Sequence, residues 1–168
     1  QQQEKTEDSE EYLIAKKNIE NTSHNYILAD TDEEIIALVK LLQSHKIISF
    51  DTETTGIDAH QAELVGLSFS VIAGEAYYVP ISADQEKAKN TVHKFKELLE
   101  DKSITKVGQN IKYDMTMMKW YGVEVAGPLY DTMITHYLCE PDLRHKLDYL
   151  TESYLDYKMV PIEELIGK

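Results

Sequence analysis

The apolar run Ile47–Phe50 leads directly into two carboxylates, Asp51 and Glu53. The run predicts a short buried strand. Side chains alternate between the two faces of a strand, so Asp51 and Glu53 project from the same side. Two acids at a buried strand end repel each other and lose hydration, and a divalent cation with oxygen ligands offsets both costs. Taken alone, such a pair more often marks a solvated strand end than a metal site, so other residues must decide between the two.

A second acidic element occurs further along the chain. Asn110 and Asp114 stand four residues apart and share one face near the start of a predicted helix, where backbone N–H groups favour anions. If the strand before this helix lies beside the strand of Asp51 and Glu53, the fold brings Asp114 towards both. An exposed helix acid is the alternative for Asp114. For Asp131, which opens a later helix, we favour a structural role at the helix N-terminus.

The elements that must position these acids follow from turn residues and periodicity. Thr31 and Glu34 form a capping-box pattern. Helices are predicted over residues 32–44, 86–100, 110–121, 130–140 and 147–155, and strands over 26–29, 47–53, 64–71, 76–81, 104–107 and 123–125. The strands from 47 to 81 form an antiparallel meander. Strands followed by alternating helix and strand indicate an α/β architecture, with a mixed β-sheet flanked by helices.

Composition limits the class of protein. A chain of 168 residues with 42% hydrophobic residues is predicted to form one packed domain. Cys139 is the single cysteine, which excludes an internal disulfide and a cysteine metal cage. No apolar run approaches the roughly 20 residues of a membrane span, and the first residues do not resemble a signal peptide. We therefore expect a soluble intracellular protein without a membrane partner.

The net charge of −13 is unfavourable for a protein that holds polyanions by charge alone. Residues 1–34 carry ten acids and three lysines, a net charge of −7, which leaves −6 over the rest of the chain. Residues 1–24 are polar and lack periodicity, so we predict a disordered acidic linker or arm there and a folded domain over residues 25–168. If nucleic acid is the partner, affinity must come from metals and local contacts.

Six stretches occur in an order and spacing that is specific as a set. They are Phe50–Thr54, Leu64–Phe69, Val107–Asp114, Tyr121–Gly122, Asp131–Met133 and Glu163–Lys168. In this combination the chain resembles the proofreading 3′–5′ exonuclease domain of bacterial DNA polymerase I, from about residue 25 to the last residue. The resemblance implies a ribonuclease H-like fold with four acidic metal ligands. It also implies that the acidic arm connects the domain to a preceding nuclease domain.

The resemblance further implies a catalytic site with two divalent cations about 4 Å apart, acting on a phosphodiester. By similarity, Asp51 bridges both ions, Glu53 binds the first, and Asp114 supports the second through water. The donors are all hard oxygens, which favours Mg²⁺, with Mn²⁺ as a substitute. The implied substrate is the single-stranded or frayed 3′ end of DNA.

Five further residues match positions that contact substrate in the family. Gln109, Asn110 and Tyr113 resemble residues that hold the terminal nucleotides, Ile57 resembles an apolar wedge against the end base, and Arg144 resembles a phosphate-binding arginine. A stacking wedge with few base-specific contacts suits a frayed single strand. The alternatives are a loop anchor for Ile57 and a solvated turn residue for Arg144.

One feature of the family pattern is missing. Relatives carry their fourth acid, preceded by a tyrosine four residues earlier, in a helix that would follow Lys168. The pattern Tyr-x-x-x-Asp occurs here only at Tyr26 and Asp30, ahead of the acidic strand. We therefore expect a C-terminally truncated ribonuclease H-like domain that has weak activity or none by itself.

Three functions remain open after this comparison. The first, which we favour, is a proofreading exonuclease domain of a family A DNA polymerase, linked covalently to polymerase and 5′ nuclease domains in the bacterial cytoplasm, near the nucleoid. The second is a vestigial domain kept as a structural or DNA-binding scaffold. The third is a related 3′–5′ exoribonuclease, for which a preference for the 2′-hydroxyl would be diagnostic. For the isolated chain we expect a monomer.

Overall fold

A computed structural model describes residues 15–161 and Glu164 of the chain. The strands are β1 (Asn25–Leu28), β2 (Ile47–Thr54), β3 (Leu64–Ile72), β4 (Glu75–Pro80), β5 (Thr105–Gly108) and β6 (Leu129–Asp131). The helices are α1 (Asp32–Gln43), α2 (Gln85–His93), α3 (Lys96–Glu100), α4 (Ile111–Trp120), α5 (Thr132–Cys139) and α6 (Leu147–Leu155). The chain forms two units, one of residues 23–143 and one in which the residues up to Thr22 join those from Arg144 onward.

All six strands belong to one sheet of the larger unit, in the order β1-β4-β3-β2-β5-β6. Strands β2, β3 and β4 pair antiparallel, which confirms the predicted meander. Strands β5 and β6 continue the sheet parallel to β2, and β1 pairs parallel with β4. With helices between the strands, this mixed sheet confirms the predicted α/β class.

One apolar core joins the meander to the helices. Phe69 on β3 lies between Phe50 on β2 and Phe95, with ring centroids 6.4 Å and 4.9 Å apart respectively. Helix α1 begins with the predicted capping box, in which the Thr31 side chain accepts from Glu34 N and the Glu34 side chain accepts from the Thr31 backbone. Each helix from α1 to α4 buries apolar side chains in this core; they include Leu38, Leu42, Val92, Leu98, Leu99, Met117 and Met118.

The structure differs from the predicted elements in three places. Ile47 is 60% exposed, because only one face of β2 is covered. The single helix predicted over residues 86–100 is two helices, since Lys94 N and Phe95 N bond three residues back and tighten the chain between α2 and α3. Residues 123–125 form a buried loop, and the last strand is β6, whose three residues are too few for a periodicity signal.

The smaller unit is held by backbone pairing at the end of α6. Lys17 N donates to Asp156 O at 3.0 Å, and Lys158 N donates to Lys17 O at 2.8 Å. Residues 1–14 of the predicted arm lie outside the described residues, as do all residues of the motif Glu163–Lys168 except Glu164. Within the described ranges, 15–161 and residue 164, no helix is long and apolar enough to cross a membrane.

Candidate active site

Strand β2 presents Asp51 and Glu53 on one face, as the alternation predicted. Phe50 and Thr52 are buried on the opposite face, whereas both carboxylate residues are exposed. Asp51 stands opposite Ser68 of β3 and Glu53 opposite Gly66, and a register shift follows Glu53. The strand therefore ends in an irregular turn directly after the two acids.

Asp114 reaches the same strand from α4. Because β5 pairs parallel with β2 and α4 follows β5, the first turn of α4 lies at the end of β2 that carries the acids. The backbone N–H and the hydroxyl of Thr52 both donate to Asp114 Oδ1, at 2.9 and 2.6 Å. Asp114 is only 2% exposed, so the alternative of an exposed helix acid is wrong. Thr52 fixes one oxygen of this carboxylate.

The charges of the other two acids act on Asp51. Loss of hydration, followed by the charges of Asp114 and Glu53, raises the pKa of Asp51 to about 7. Burial raises the pKa of Asp114 to about 6, the hydrogen bonds from Thr52 oppose this shift, and the charge of Asp131 adds to it. Neighbouring carboxylates that disfavour one another's ionisation are typical of acid sites that accept a cation.

These shifts predict how stability depends on pH in the absence of metal. The folded-state pKa of Asp51 lies above its unfolded value of 3.8, so the folded chain binds more protons in this range and its free energy of unfolding falls as pH rises from about 4 to about 7. We therefore expect Asp51→Asn to be more stable than the wild-type chain at pH 8, and the difference to shrink towards pH 4. Thermal melts of both chains in EDTA at these pH values test this. An equal difference at both pH values would contradict it.

The donor set fits a hard divalent cation in chemistry, since Asp51, Glu53 and Asp114 offer carboxylate oxygens only. Among the residues that the structure describes, however, no three His, Cys, Asp or Glu side chains stand close enough to hold a metal as they are placed. Shared coordination of one cation by these acids would therefore require their side chains to move from the placed conformations.

Asp131 holds the starts of two helices. Its carboxylate accepts from Asn110 N at 3.2 Å and Ile111 N at 3.0 Å, at the start of α4. It also accepts from Met133 N at 2.9 Å and Ile134 N at 3.1 Å, at the start of α5. This confirms the structural role at a helix N-terminus and extends it to α4. Asp131 therefore fixes the helix that carries Asp114.

The residues matched to nucleotide contacts line the turn before α4. Asn110 has left-handed backbone angles (φ 57°, ψ 42°) and its side chain does not cap α4. Gln109 Oε1 accepts from the Thr132 hydroxyl at 2.5 Å. The Tyr113 hydroxyl contacts Thr54 Oγ1 at 2.7 Å and donates to Gly56 O at 2.5 Å. Tyr113 thus ties α4 to the turn that follows the acidic strand.

Ile57 and Arg144 lie in different units of the chain. Ile57 is 99% exposed, so among the residues that the structure describes its side chain has no packing partner and the alternative of a loop anchor is wrong. Arg144 belongs to the smaller unit, where it lines a surface cavity with charged and polar neighbours, namely His145, Lys146, Asp148, Tyr149 and Glu152. The predicted contacts of both residues with DNA remain predictions.

The comparison with known proteins decides the family. A family model described as 3′–5′ exonuclease matches residues 26–168. The chain belongs to this 3′–5′ exonuclease family. Over 158 residues the exonuclease domain is 37% identical to DNA polymerase I of Pseudomonas aeruginosa, a match that covers 84% of this chain and 17% of that protein. It is 35% identical over 153 residues to DNA polymerase I of Borreliella burgdorferi, covering 89% of this chain and 17% of that protein.

Solved structures agree on the fold of the exonuclease domain. Brucella melitensis NrnC matches with a TM-score of 0.64 and 26% identity, over 83% of this chain and 64% of that one. The same protein has been solved with bound Mg²⁺ and bound to pGG. The likeness confirms the ribonuclease H-like exonuclease fold. The chain spans about a sixth of the length of the polymerases that it matches, since the matches cover 17% of each.

Proposed function

We propose that this domain removes nucleotides from the 3′ end of single-stranded DNA by metal-dependent hydrolysis, as the proofreading part of a family A DNA polymerase. The observation that carries the proposal is that the parallel pairing of β2 and β5 brings Asp114 on α4 to the strand of Asp51 and Glu53, where the charges of Asp114 and Glu53 both act on Asp51. Sequence identity to two bacterial DNA polymerases supports DNA as the substrate class.

Each acid has a distinct part in the proposed site. Asp51 is affected by the charges of both other acids, so it is the carboxylate best placed to be shared between two ions. Glu53 is exposed on the same face, and we assign it to the first ion together with Asp51. We assign Asp114, whose Oδ1 is held by Thr52, to the second ion. Two bound Mg²⁺ or Mn²⁺ ions would activate water and stabilise the leaving 3′ oxygen, and Mg²⁺ bound to NrnC supports the choice of metal.

The proposal extends to substrate contacts. The exposed Ile57 is placed on the turn that Tyr113 ties to α4, so its side chain is available to pack against a terminal base. Gln109 and Asn110 lie at the start of α4, beside the proposed site, and we assign them and Tyr113 to the terminal nucleotides. We assign Arg144 to a phosphate. Stacking on an apolar side chain is sequence-tolerant, as removal of any mispaired base requires.

The polymerase context is part of the proposal. We propose that residues 1–24 are an acidic connection from a 5′ nuclease domain, that residues 25–168 are the exonuclease domain, and that a polymerase domain completes the protein. The relatives support this, because the matched segment is a small part of each DNA polymerase I. We further propose a location in the bacterial cytoplasm, close to the nucleoid.

End-labelled oligonucleotides test the proposed activity. With Mn²⁺ and excess protein, a 5′-labelled DNA strand should give a ladder that shortens stepwise from the 3′ end, faster for single strands than for paired ends. A matched RNA strand should be cut more slowly. Internal cleavage, release from the 5′ end, or faster digestion of RNA would overturn the proposal, and the last outcome would favour the exoribonuclease alternative.

A further inference from the structure

Tyr78 on β4 occupies the space beside Glu53 that a side chain at position 66 would fill. Gly66 stands directly opposite Glu53 in the pairing of β2 with β3. A Cβ placed on Gly66 would lie 2.3 Å from the Tyr78 hydroxyl oxygen and 2.4 Å from its Cε2. Both separations are shorter than any ordinary contact, so a side chain at position 66 would have to displace the ring.

The strand register explains how the ring reaches this position. Tyr78 pairs with Ser68, and Ser68 pairs with Asp51. These three residues therefore form a cross-strand row on the sheet face that carries Asp51 and Glu53, which we call the acidic face. From this row the ring leans diagonally onto Gly66, within the reach of an aromatic side chain. Its hydroxyl donates to Val65 O at 3.4 Å, a long hydrogen bond. The ring therefore stands next to the Glu53 carboxylate, which also raises the pKa of Tyr78 after the effect of burial.

The ring borders the acidic face without being part of the core. Tyr78 is 38% exposed, whereas its neighbour Val79 faces the other side of β4 and is completely buried. The ring is therefore partly buried by the sheet and still reaches the face that carries Glu53. A glutamate that must coordinate a cation has three rotatable bonds to fix, and the entropy lost in ordering them opposes binding.

We propose that Tyr78 is a positioning residue: its ring, lying over Gly66, confines the Glu53 side chain to conformations directed towards Asp51. The inference rests on the proposed function, because Glu53 needs this restriction only as a metal ligand. Groups that orient ligands typically change metal affinity by about 10- to 100-fold when they are removed. The confining element is the ring, and the hydroxyl is secondary.

A double-mutant cycle on Mn²⁺ affinity tests this inference. The variants are Gly66→Ala, Tyr78→Ala and the double variant, each titrated with Mn²⁺ in the 168-residue chain and followed by the loss of the free-ion signal in electron paramagnetic resonance. We expect Tyr78→Ala to raise the Kd about tenfold or more. Gly66→Ala should raise it similarly, because the new methyl group displaces the ring. In the Tyr78→Ala background Gly66→Ala should change nothing further, since the space is empty.

Two controls separate positioning from general damage. Tyr26→Ala removes an exposed tyrosine from the same sheet face, on strand β1, and should leave the Kd unchanged. Tyr78→Phe keeps the ring and should stay within about threefold of wild type. Thermal melts in EDTA show whether each variant is folded. A structural role alone would move the melting temperature and leave the Kd of the folded fraction unchanged.

The outcomes distinguish this inference from the proposed function. Any of three results would overturn the role of the ring. The single variants could keep the wild-type Kd, the effects of Gly66→Ala and Tyr78→Ala on the Kd could multiply, or Tyr78→Phe could bind Mn²⁺ as weakly as Tyr78→Ala. Failure of the wild-type chain to bind Mn²⁺, or binding that survives asparagine at both Asp51 and Asp114, would instead overturn the metal site on which the inference rests.

Discussion

Replacing Asp51 with alanine is expected to abolish metal-dependent release of nucleotides from a 3′ end. Asp51 is affected by the charges of both Glu53 and Asp114, so its loss removes the one carboxylate shared by the proposed ion positions. Groups that act as a unit do not contribute additively, and the remaining acids cannot compensate. The fold should persist, because Asp51 is exposed and its repulsion is removed. Single-turnover digestion of labelled single-stranded DNA with excess protein and Mn²⁺ measures the rate.

Glu97→Ala is the matched control for this experiment. Glu97 is an exposed acid on α3, so its removal changes the net charge equally and leaves the acidic face intact. Its rate should equal that of the wild-type chain. Digestion by Asp51→Ala at the rate of the Glu97→Ala control would show that Asp51 is not part of the catalytic machinery.

Asp131→Ala is expected to lower the free energy of unfolding by about 2–4 kcal/mol, the largest loss of stability among the substitutions that we predict. The carboxylate accepts from four backbone N–H groups at the starts of α4 and α5, and alanine leaves all four without this partner. The substitution also removes the repulsion between Asp131 and Asp114, which offsets part of this loss of stability. Urea denaturation at pH 7 gives the free energy of unfolding.

Asp84→Ala provides the comparison for this prediction. Asp84 caps only α2, where its side chain accepts from Lys87 N at 3.0 Å, so its removal should cost about 1 kcal/mol. Asp131→Asn, which keeps one acceptor oxygen, should fall between the two. If Asp131→Ala costs no more than Asp84→Ala, the two helix starts do not depend on the shared carboxylate.

Local rules were sufficient to predict the strand that carries the acids. Side chains alternate along an extended backbone, which predicts Asp51 and Glu53 on one face of the strand. The structure confirms this arrangement. The capping box at Thr31 and the turn at Gly74 likewise depend on residues close in sequence. Proximity of Asp114 to the other acids requires that the strand of Asp51 lie beside the strand that precedes the helix of Asp114. The pairing of β2 with β5 meets this condition.

The environment of Asp114 could not be predicted from its own helix. Its carboxylate is held by Thr52, 62 residues earlier in the chain. The shared cap at Asp131 and the ring of Tyr78 over Gly66 are also long-range contacts. Phe95, at the break between α2 and α3, packs on Phe69, a tertiary contact that helical periodicity does not predict.

The central claim is that Asp51, Glu53 and Asp114 together bind a divalent cation, and the thermal shift caused by Mn²⁺ tests it most directly. The wild-type chain and an Asp51→Asn, Asp114→Asn variant are melted at pH 8 over a series of Mn²⁺ concentrations. At 100 times the Kd, binding should stabilise the wild-type chain by about 2.7 kcal/mol, which corresponds to a rise in melting temperature of about 5–10 °C. The account predicts this rise for the wild-type chain and none for the variant. An equal rise in both would show that the cation binds elsewhere and would contradict the account.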